Sequence, residues 1–410
     1  LQIAKALRNK PVALLWSAMV FSAIGDELYT IALIFVATSA LGFLAGYLVS
    51  IQMACTLIAS LYAGVFADRR HPRGVMIISD LVRALAVVLP ALWLAFLSAP
   101  LPLWLLALMM IVVASAKPFF DPALQTILPE LARDKDTLSA VNGLFDAMRR
   151  VARIFGPGLG ALLIPILPIQ HFFSLDALTF LVSAATLVWL RRNVADAHEP
   201  RTSAPAGFWP RLRQGVFGGF LAAGRKPVIA AHIFAFGVQN GAWYLGLILA
   251  TALRFRQNDP ADFSHFGLIV AAYGVGNVAS TLVTAELKIG NPFLFMSVGR
   301  LICGLGFCLL ALSNSLPGMM AAAAFAATGA PLAQIPFVTL VQTSFPPNEI
   351  ASVFRMRMTC DWLGMFLALA LSPMLLAAVG PEATTAIAGF TYLAAGGSGF
   401  LKRLGARVRA

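Results

Sequence analysis

"VALLWSAMVFSAIGDELYTIALIFV", residues 12–36, carries two charged side chains, the adjacent acids Asp26 and Glu27, in its middle. A helix of this length crosses the roughly 30 Å hydrocarbon core of a bilayer. Within lipid the backbone has to satisfy its own hydrogen bonds, which leaves helices or a closed barrel. The stretch shows no alternation of period two, so it reads as a helix and not as a barrel strand.

The same pattern recurs along the chain. Of 410 residues, 59% are hydrophobic and 12% charged, with a mean hydropathy of +0.82. That composition excludes a soluble enzyme. Twelve spans are expected, at roughly 12–36, 44–67, 75–98, 103–120, 139–165, 172–190, 228–253, 265–287, 292–313, 317–342, 353–378 and 384–401. The basic "AKALRNK" before the first span reads as its inner flank and not as a secretory leader.

Charge sets the orientation. With both termini cytoplasmic, all but five of the 30 Lys and Arg residues fall on the inner side. Arg254 and Arg256 lie in outer loops, and Arg83, Lys117 and Arg300 lie within spans. The positive-inside rule selects this topology, and the bacterial inner membrane is the expected location. Anchoring to the inner leaflet accounts for the net charge of +12, and no nucleic acid is required. Membrane lipids are the expected partners.

The four cysteines, Cys55, Cys303, Cys308 and Cys360, all fall in spans, without CxxC or Cys/His metal spacing. There is no GxxxxGK[ST] loop and no nucleophile elbow. No metal, cofactor or enzymatic chemistry is expected.

Residues 191–227 are polar, basic and contain Pro, and divide the chain into halves 1–190 and 228–410. Within this cytoplasmic connector Trp209, Leu212, Val216 and Phe220 recur at helical spacing, as in an interfacial amphipathic helix. The halves repeat weakly. Gly25 matches Gly241, Arg83 matches Arg300 and Pro122 matches Pro336, at nearly one offset. The expected fold is all-α, with twelve transmembrane helices in two pseudo-symmetric six-helix bundles. Where the first half has Asp26 and Glu27, the second has Ala242 and Trp243; Ser297 stands where Asp80 does.

Several stretches carry a family resemblance. "GVFADRRHPRG" (64–74) has a Gly, an Asp four residues on and then basic residues, with His71 where Gly is usual. "RIFGPGLGALL" (153–163) looks like an exporter motif. With "IGDELYTIAL", "VMIISDLVRA", "PALQTILPEL" and "GAPLAQIPFVTLVQ", the chain resembles the major facilitator superfamily, and within it the branch of macrolide-efflux and enterobactin-exporter type proteins. The resemblance implies a cytoplasmic latch of Gly64, Asp68, Arg70 and Arg73, with Asp121 as its acidic partner. It also implies a cavity lined by spans one, four, seven and ten. Tyr29, Met109, Met110, Gln239, Asn240, Trp243 and Tyr244 are candidates there, an aromatic, amide and thioether mix suited to an amphipathic ligand.

The intramembrane charges are candidates in their own right. An ionised Asp at a helix centre costs about 2.5–3.5 kcal/mol. Asp26 and Glu27 are therefore candidates for proton coupling and for attracting a cationic substrate. Asp80 and Arg83, three apart, share a helix face. Arg300 has no acid at that spacing; Asp361 on span eleven is the candidate partner. Lys117 is expected to snorkel. The expected function is a monomeric, proton-coupled antiporter exporting an amphipathic drug or siderophore. A lysolipid translocase, an importer of a similar solute and a non-transporting receptor are the alternatives.

Overall fold

The computed structural model describes residues 7–66, 71–97, 101–131, 135–194, 217–255, 259–287 and 289–408. Among these residues every regular element is helical. The first six helices are α1 (Lys10–Leu41), α2 (Ala45–Phe66), α3 (Pro72–Phe96), α4 (Leu103–Leu131), α5 (Lys135–Leu163) and α6 (Gln170–Asn193). After the short helical stretch 217–224 come α7 (Pro227–Trp243), α8 (Pro260–Glu286), α9 (Pro292–Leu312) and α10 (Leu316–Ser344). The helical run Pro347–Val408 breaks at Gly380, where φ is +79°, into α11 (347–379) and α12 (381–408). Gly42, at φ +54°, makes the corresponding break between α1 and α2. Both values lie in the left-handed region that glycine enters without strain.

Nine described segments are long and apolar enough to cross a membrane; two of these, Lys10–Ala63 and Ser352–Gly397, have 54 and 46 residues, enough for two crossings each. Helix α5 is not among the nine; its sequence carries Lys135, Asp136, Asp146, Arg149, Arg150 and Arg153 in its first two thirds. Its apolar part begins where the exporter-like motif begins.

Local chemistry explains the helix starts. Asp259 accepts the backbone N–H groups of Ala261 (3.0 Å) and Asp262 (3.3 Å). Asn291 accepts from Leu294 (3.3 Å), and Ser315 accepts from Gly318 (3.3 Å). Each is followed within two positions by a proline, whose missing N–H is not needed in the first turn. Helix α4 runs to Leu131, past the expected end at 120, through Pro118, Pro122 and Pro129. Prolines are tolerated where packed neighbours and Ser/Thr side chains re-satisfy the backbone. Thr126 donates to the Pro122 carbonyl at 3.0 Å.

Contacts group the chain into two compact units, Leu1–Leu33 with Ile51–Gly215, and Ile34–Ser50 with Val216–Ala410. In the first, Leu15, Met76, Leu128, Phe145 and Leu187 form a buried cluster. In the second, Ile233, Met296, Phe337, Val353 and Met356 do so. Residues 34–50 join the second unit because Phe35 meets Phe263 edge-on at 5.0 Å, and Gly46 lies against Ser372, Leu369 and Leu249. Helices α7 and α11 cross at glycines: a Cβ on Gly364 would sit 1.9 Å from the Gly237 carbonyl oxygen. Small residues permit such backbone approach where lipid gives no hydrophobic drive for helix association.

At the end of α9, Arg254 donates to the Leu310 (2.9 Å) and Ser313 (2.8 Å) carbonyls, and its Nε pairs with Glu382 at 3.2 Å. The side chain is 5% exposed and closes the carbonyl end of the helix. Arg254→Ala is expected to cost about 2–3 kcal/mol, because buried carbonyls lose charged donors. Reversible unfolding in micelles measures the loss.

Candidate functional site

In the first unit four helices bring five charged side chains together. Lys117 on α4 donates to Asp26 Oδ2 on α1 at 2.8 Å, and Arg83 on α3 lies 3.8 Å from Asp26 Oδ1. Arg83 also donates to Asp80 Oδ1, while Ser183 on α6 donates to Asp80 Oδ2. The Arg83 guanidinium lies 4.2 Å from the Phe180 ring centroid and 5.0 Å from that of Phe120. Asp80 and Arg83 are buried; Asp26 is 24% exposed and Lys117 49%.

Asp176 on α6 completes the cluster. It is fully buried, and its charged neighbours are Asp26, Arg83 and Lys117. Its Oδ2 has no hydrogen-bond partner. Thr179 Oγ1 lies 3.5 Å from Oδ1 but is closer, at 2.8 Å, to the Asp176 carbonyl, so its single proton is committed there. A Cβ on Gly25 would fall 2.8 Å from Asp176 Oδ1 and 2.6 Å from Thr179 Oγ1. Gly25 therefore lets α1 approach α6 at this carboxyl. Asp176 escaped the sequence reading, although the rule that singled out Asp26, an acid inside an apolar span, applies to it equally.

Three expectations are corrected. Lys117 does not snorkel away from the charges; it is the ion-pair partner of Asp26. Arg73 pairs with Glu130 at 3.2 Å and donates to Val194 O at 2.6 Å, so of the two arginines expected to meet Asp121, Arg70 or Arg73, Arg73 does not; Arg70 lies outside the described residues. The reason is length: because α4 continues to Leu131, its inner end carries Glu130, about 13 Å beyond Asp121 at 1.5 Å per residue. Arg300 does not reach Asp361. It lies 2.9 Å from His232 Nδ1 on α7, while Asp361 pairs within α11 with Arg357 at 3.6 Å.

The other candidates are placed as follows. Glu27 is half-buried, and a Cβ on Gly156 of α5 would lie 2.3 Å from its Cβ. Gly160 faces Ile31 in the same way, so the exporter-like motif forms the surface of α5 that receives α1. Glu27 thus lies on the α5 side of α1, while Asp26 faces α3 and α4. Tyr29, Met109 and Met110 are buried in the first unit, Tyr29 with its ring 6.2 Å from Phe173. In the second unit Gln239 is buried and its backbone carbonyl accepts the Tyr392 hydroxyl at 2.9 Å. Asn240 faces Asp361, and Trp243 lies 5.9 Å from Tyr244 and 6.1 Å from Tyr273, ring to ring. Gly64 lies in the last turn of α2; Asp68, Arg70 and most of the connector, with Trp209, Leu212 and Val216, lie outside the described residues.

After Trp243 the helix widens into a π-helical segment, Tyr244–Ala250. Gly246 O there accepts the Thr251 hydroxyl at 2.9 Å, and the Thr385 hydroxyl lies between it (3.2 Å) and the Pro381 carbonyl (3.1 Å). Such segments often mark functional positions in helices.

Residues 15–256 match the family model of the Major Facilitator Superfamily, more than half of the chain. The chain belongs to the major facilitator superfamily. It is 26% identical over 378 residues to the uncharacterized MFS-type transporter YfiS of Bacillus subtilis, covering 88% of this chain and 86% of that one. It is 28% identical over 239 residues to the multidrug efflux pump Tap of Mycolicibacterium fortuitum, covering 57% and 56%. Among solved structures, a peptide transporter POT mutant in complex with sulfate superposes with a TM-score of 0.72 at 16% identity, covering 96% and 94%. A POT family transporter in complex with 5-aminolevulinic acid gives 0.66 at 15%. These likenesses bear on the fold. Family membership makes the protein a multi-pass membrane transporter of a small molecule and not an enzyme.

Proposed function

We propose that this superfamily member is a proton-coupled exporter of an amphipathic small molecule, working by alternating access in the bacterial inner membrane with both termini cytoplasmic. The observation that carries the reading is the charge imbalance in the first unit. Among the described residues of the cluster, three carboxyls (Asp26, Asp80, Asp176) face two cations (Arg83, Lys117). Both cations are engaged by Asp26 and Asp80, which leaves Asp176 without a charged donor. A buried carboxylate with no donor is costly, and a proton removes the charge. A carboxyl that takes a proton from one face and releases it at the other ties substrate movement to the proton gradient. Asp26, beside it, sets its electrostatic surroundings.

Export is supported by the Gly156–Gly160 motif, by the resemblance to the macrolide-efflux and enterobactin-exporter branch, and by the similarity to Tap. Tyr29, Met109, Gln239, Asn240, Trp243 and Tyr244 are proposed as ligand contacts. Gly64, Asp68, Arg70 and Arg73 are proposed as the cytoplasmic latch, with Glu130 now the acid that Arg73 holds.

The reading is tested in inverted vesicles with substrates found by a thermal-stability screen of macrolides, catechols, carboxylate siderophores and lysolipids at two pH values. Asp26→Asn is expected to reduce proton-driven uptake strongly and Glu27→Gln to reduce it less. Full uptake by both variants removes Asp26 and Glu27 from the coupling; full uptake by Asp176→Asn as well abolishes the coupling proposal.

A further inference from the structure

The second unit holds an arginine without an acid. Arg300 on α9 is 2% exposed. One terminal nitrogen, Nη1, reaches His232 Nδ1 at 2.9 Å, and the guanidinium carbon lies 5.1 Å from the centroid of the Phe236 ring. Its Nε and Nη2 have no hydrogen-bond partner. These two nitrogens form one edge of the planar group. Their N–H bonds run nearly parallel, at the spacing of the two oxygens of a carboxylate or phosphate. A buried charged donor left unmatched carries its full desolvation cost. The weak internal repeat says why no protein acid fills the fork: Arg83, the matching residue, is held by Asp80 and Asp26, and the corresponding places in the second half are Ser297 and Ala242.

The surroundings share this bias. Arg357 on α11, 9% exposed, lies over the same Phe236 ring at 4.7 Å, and its acid is Asp361. Around Phe236 the described residues therefore set two guanidiniums against one carboxylate. One turn and two turns further along α7, Gln239 Nε2 and Trp243 Nε1 are also buried N–H donors without partners. Apart from Asp361 Oδ1, the unmatched buried side-chain atoms described in this unit are N–H donors.

We propose that the Nε/Nη2 edge of Arg300 binds an oxyanion, the carboxylate or phosphate of an amphipathic ligand whose apolar part packs on the aromatic side chains beside Phe236. The fork is covered in this structure, so the ligand reaches it when the helices part, as at any carrier site. As a substrate site it rests on the transport reading above and narrows the substrate to an amphipathic anion or zwitterion; as an anion site it stands without it.

The test uses the full chain in phosphatidylcholine nanodiscs, with thermal unfolding followed in the presence of anionic, cationic and neutral probes. Naphthoate and naphthyl phosphate are expected to raise Tm saturably, while naphthylmethylammonium and naphthylmethanol leave it unchanged. Arg300→Gln is expected to weaken the anion effect by about tenfold or more, equivalent to about 1.4 kcal/mol. Arg300→Lys keeps the charge but not the fork and is expected to fall between the two. An equal shift from the cation or the alcohol, an undiminished anion shift in Arg300→Gln, or parent-like affinity in Arg300→Lys overturns the proposal. If the Gln variant does not assemble, the charge series on the parent and the Lys variant still decide. Discs containing phosphatidylglycerol separate the sources of the anion. A lipid headgroup in the fork raises the parent's Tm and abolishes the naphthoate shift, both through Arg300; a soluble ligand's shift persists. An intact anion shift in a protein that transports nothing leaves the fork standing and removes the transport reading.

Discussion

Asp176→Asn is expected to leave the protein folded and to cut proton-driven accumulation strongly. The amide matches a protonated carboxyl in shape, so the space that Gly25 leaves beside Oδ1 still accommodates it. No salt bridge is lost, because the described cations near Asp176 are engaged by Asp26 and Asp80. Stability should stay within about 1 kcal/mol of the parent, the net worth of one neutral hydrogen bond. What disappears is a group able to alternate between charged and neutral forms. Coupling free energies of about 1–3 kcal/mol correspond to roughly 5–150-fold effects, and accumulation in vesicles with an imposed pH difference should fall within that range. Downhill exchange at equal pH on both sides should persist. Infrared difference spectra between acid and alkaline pH provide a readout that needs no substrate: the Asn variant should lack the one component of the protonated-carboxyl band that Asp176 contributes. Parent-like accumulation by the Asn variant, or a carboxyl band unchanged by the substitution, removes Asp176 from the mechanism.

Much of the helical frame was legible from local signals. Apolar runs of bilayer length fix the spans, whereas the caps at Asp259, Asn291 and Ser315 that set three helix starts were not read from them. The i,i+3 spacing of Asp80 and Arg83 places their contact on one helix, which sequence can read. The contacts that were missed are between residues far apart in the chain. Lys117 is 91 residues from Asp26, and nothing in an apolar run tells which acid a lone lysine will meet. Arg73 meets Glu130 because α4 continues through three prolines to Leu131. The π-helical segment that follows α7 meets Thr385, 139 residues from Gly246. Asp176 differs from these. Its position inside an apolar span was visible, and only its lack of a donor required coordinates.

Replacing Arg83 alone should be the most damaging single change to stability in the first unit. Arg83→Gln would leave Asp80, fully buried, with Ser183 and no cation. Removing one member of a buried pair typically costs about 3–5 kcal/mol, since the remaining charge has lost its compensation. The cation–π contacts with Phe180 and Phe120 go as well. The double variant Asp80→Asn/Arg83→Gln should recover most of that loss, because two neutral amides three residues apart on α3 can bond to each other and to Ser183. A double-mutant cycle, followed by unfolding in mixed micelles, measures the coupling between them. If the double variant is no more stable than Arg83→Gln, the arginine's worth lies in its aromatic packing and not in the acid. The recovered double variant is also informative about function. It keeps Asp26, Lys117 and Asp176 but removes a positive and a negative charge from the field around Asp176, so it should fold normally while binding protons over a different pH range. Stability restored with altered coupling would separate the two duties of the cluster, which the single variants alone confound.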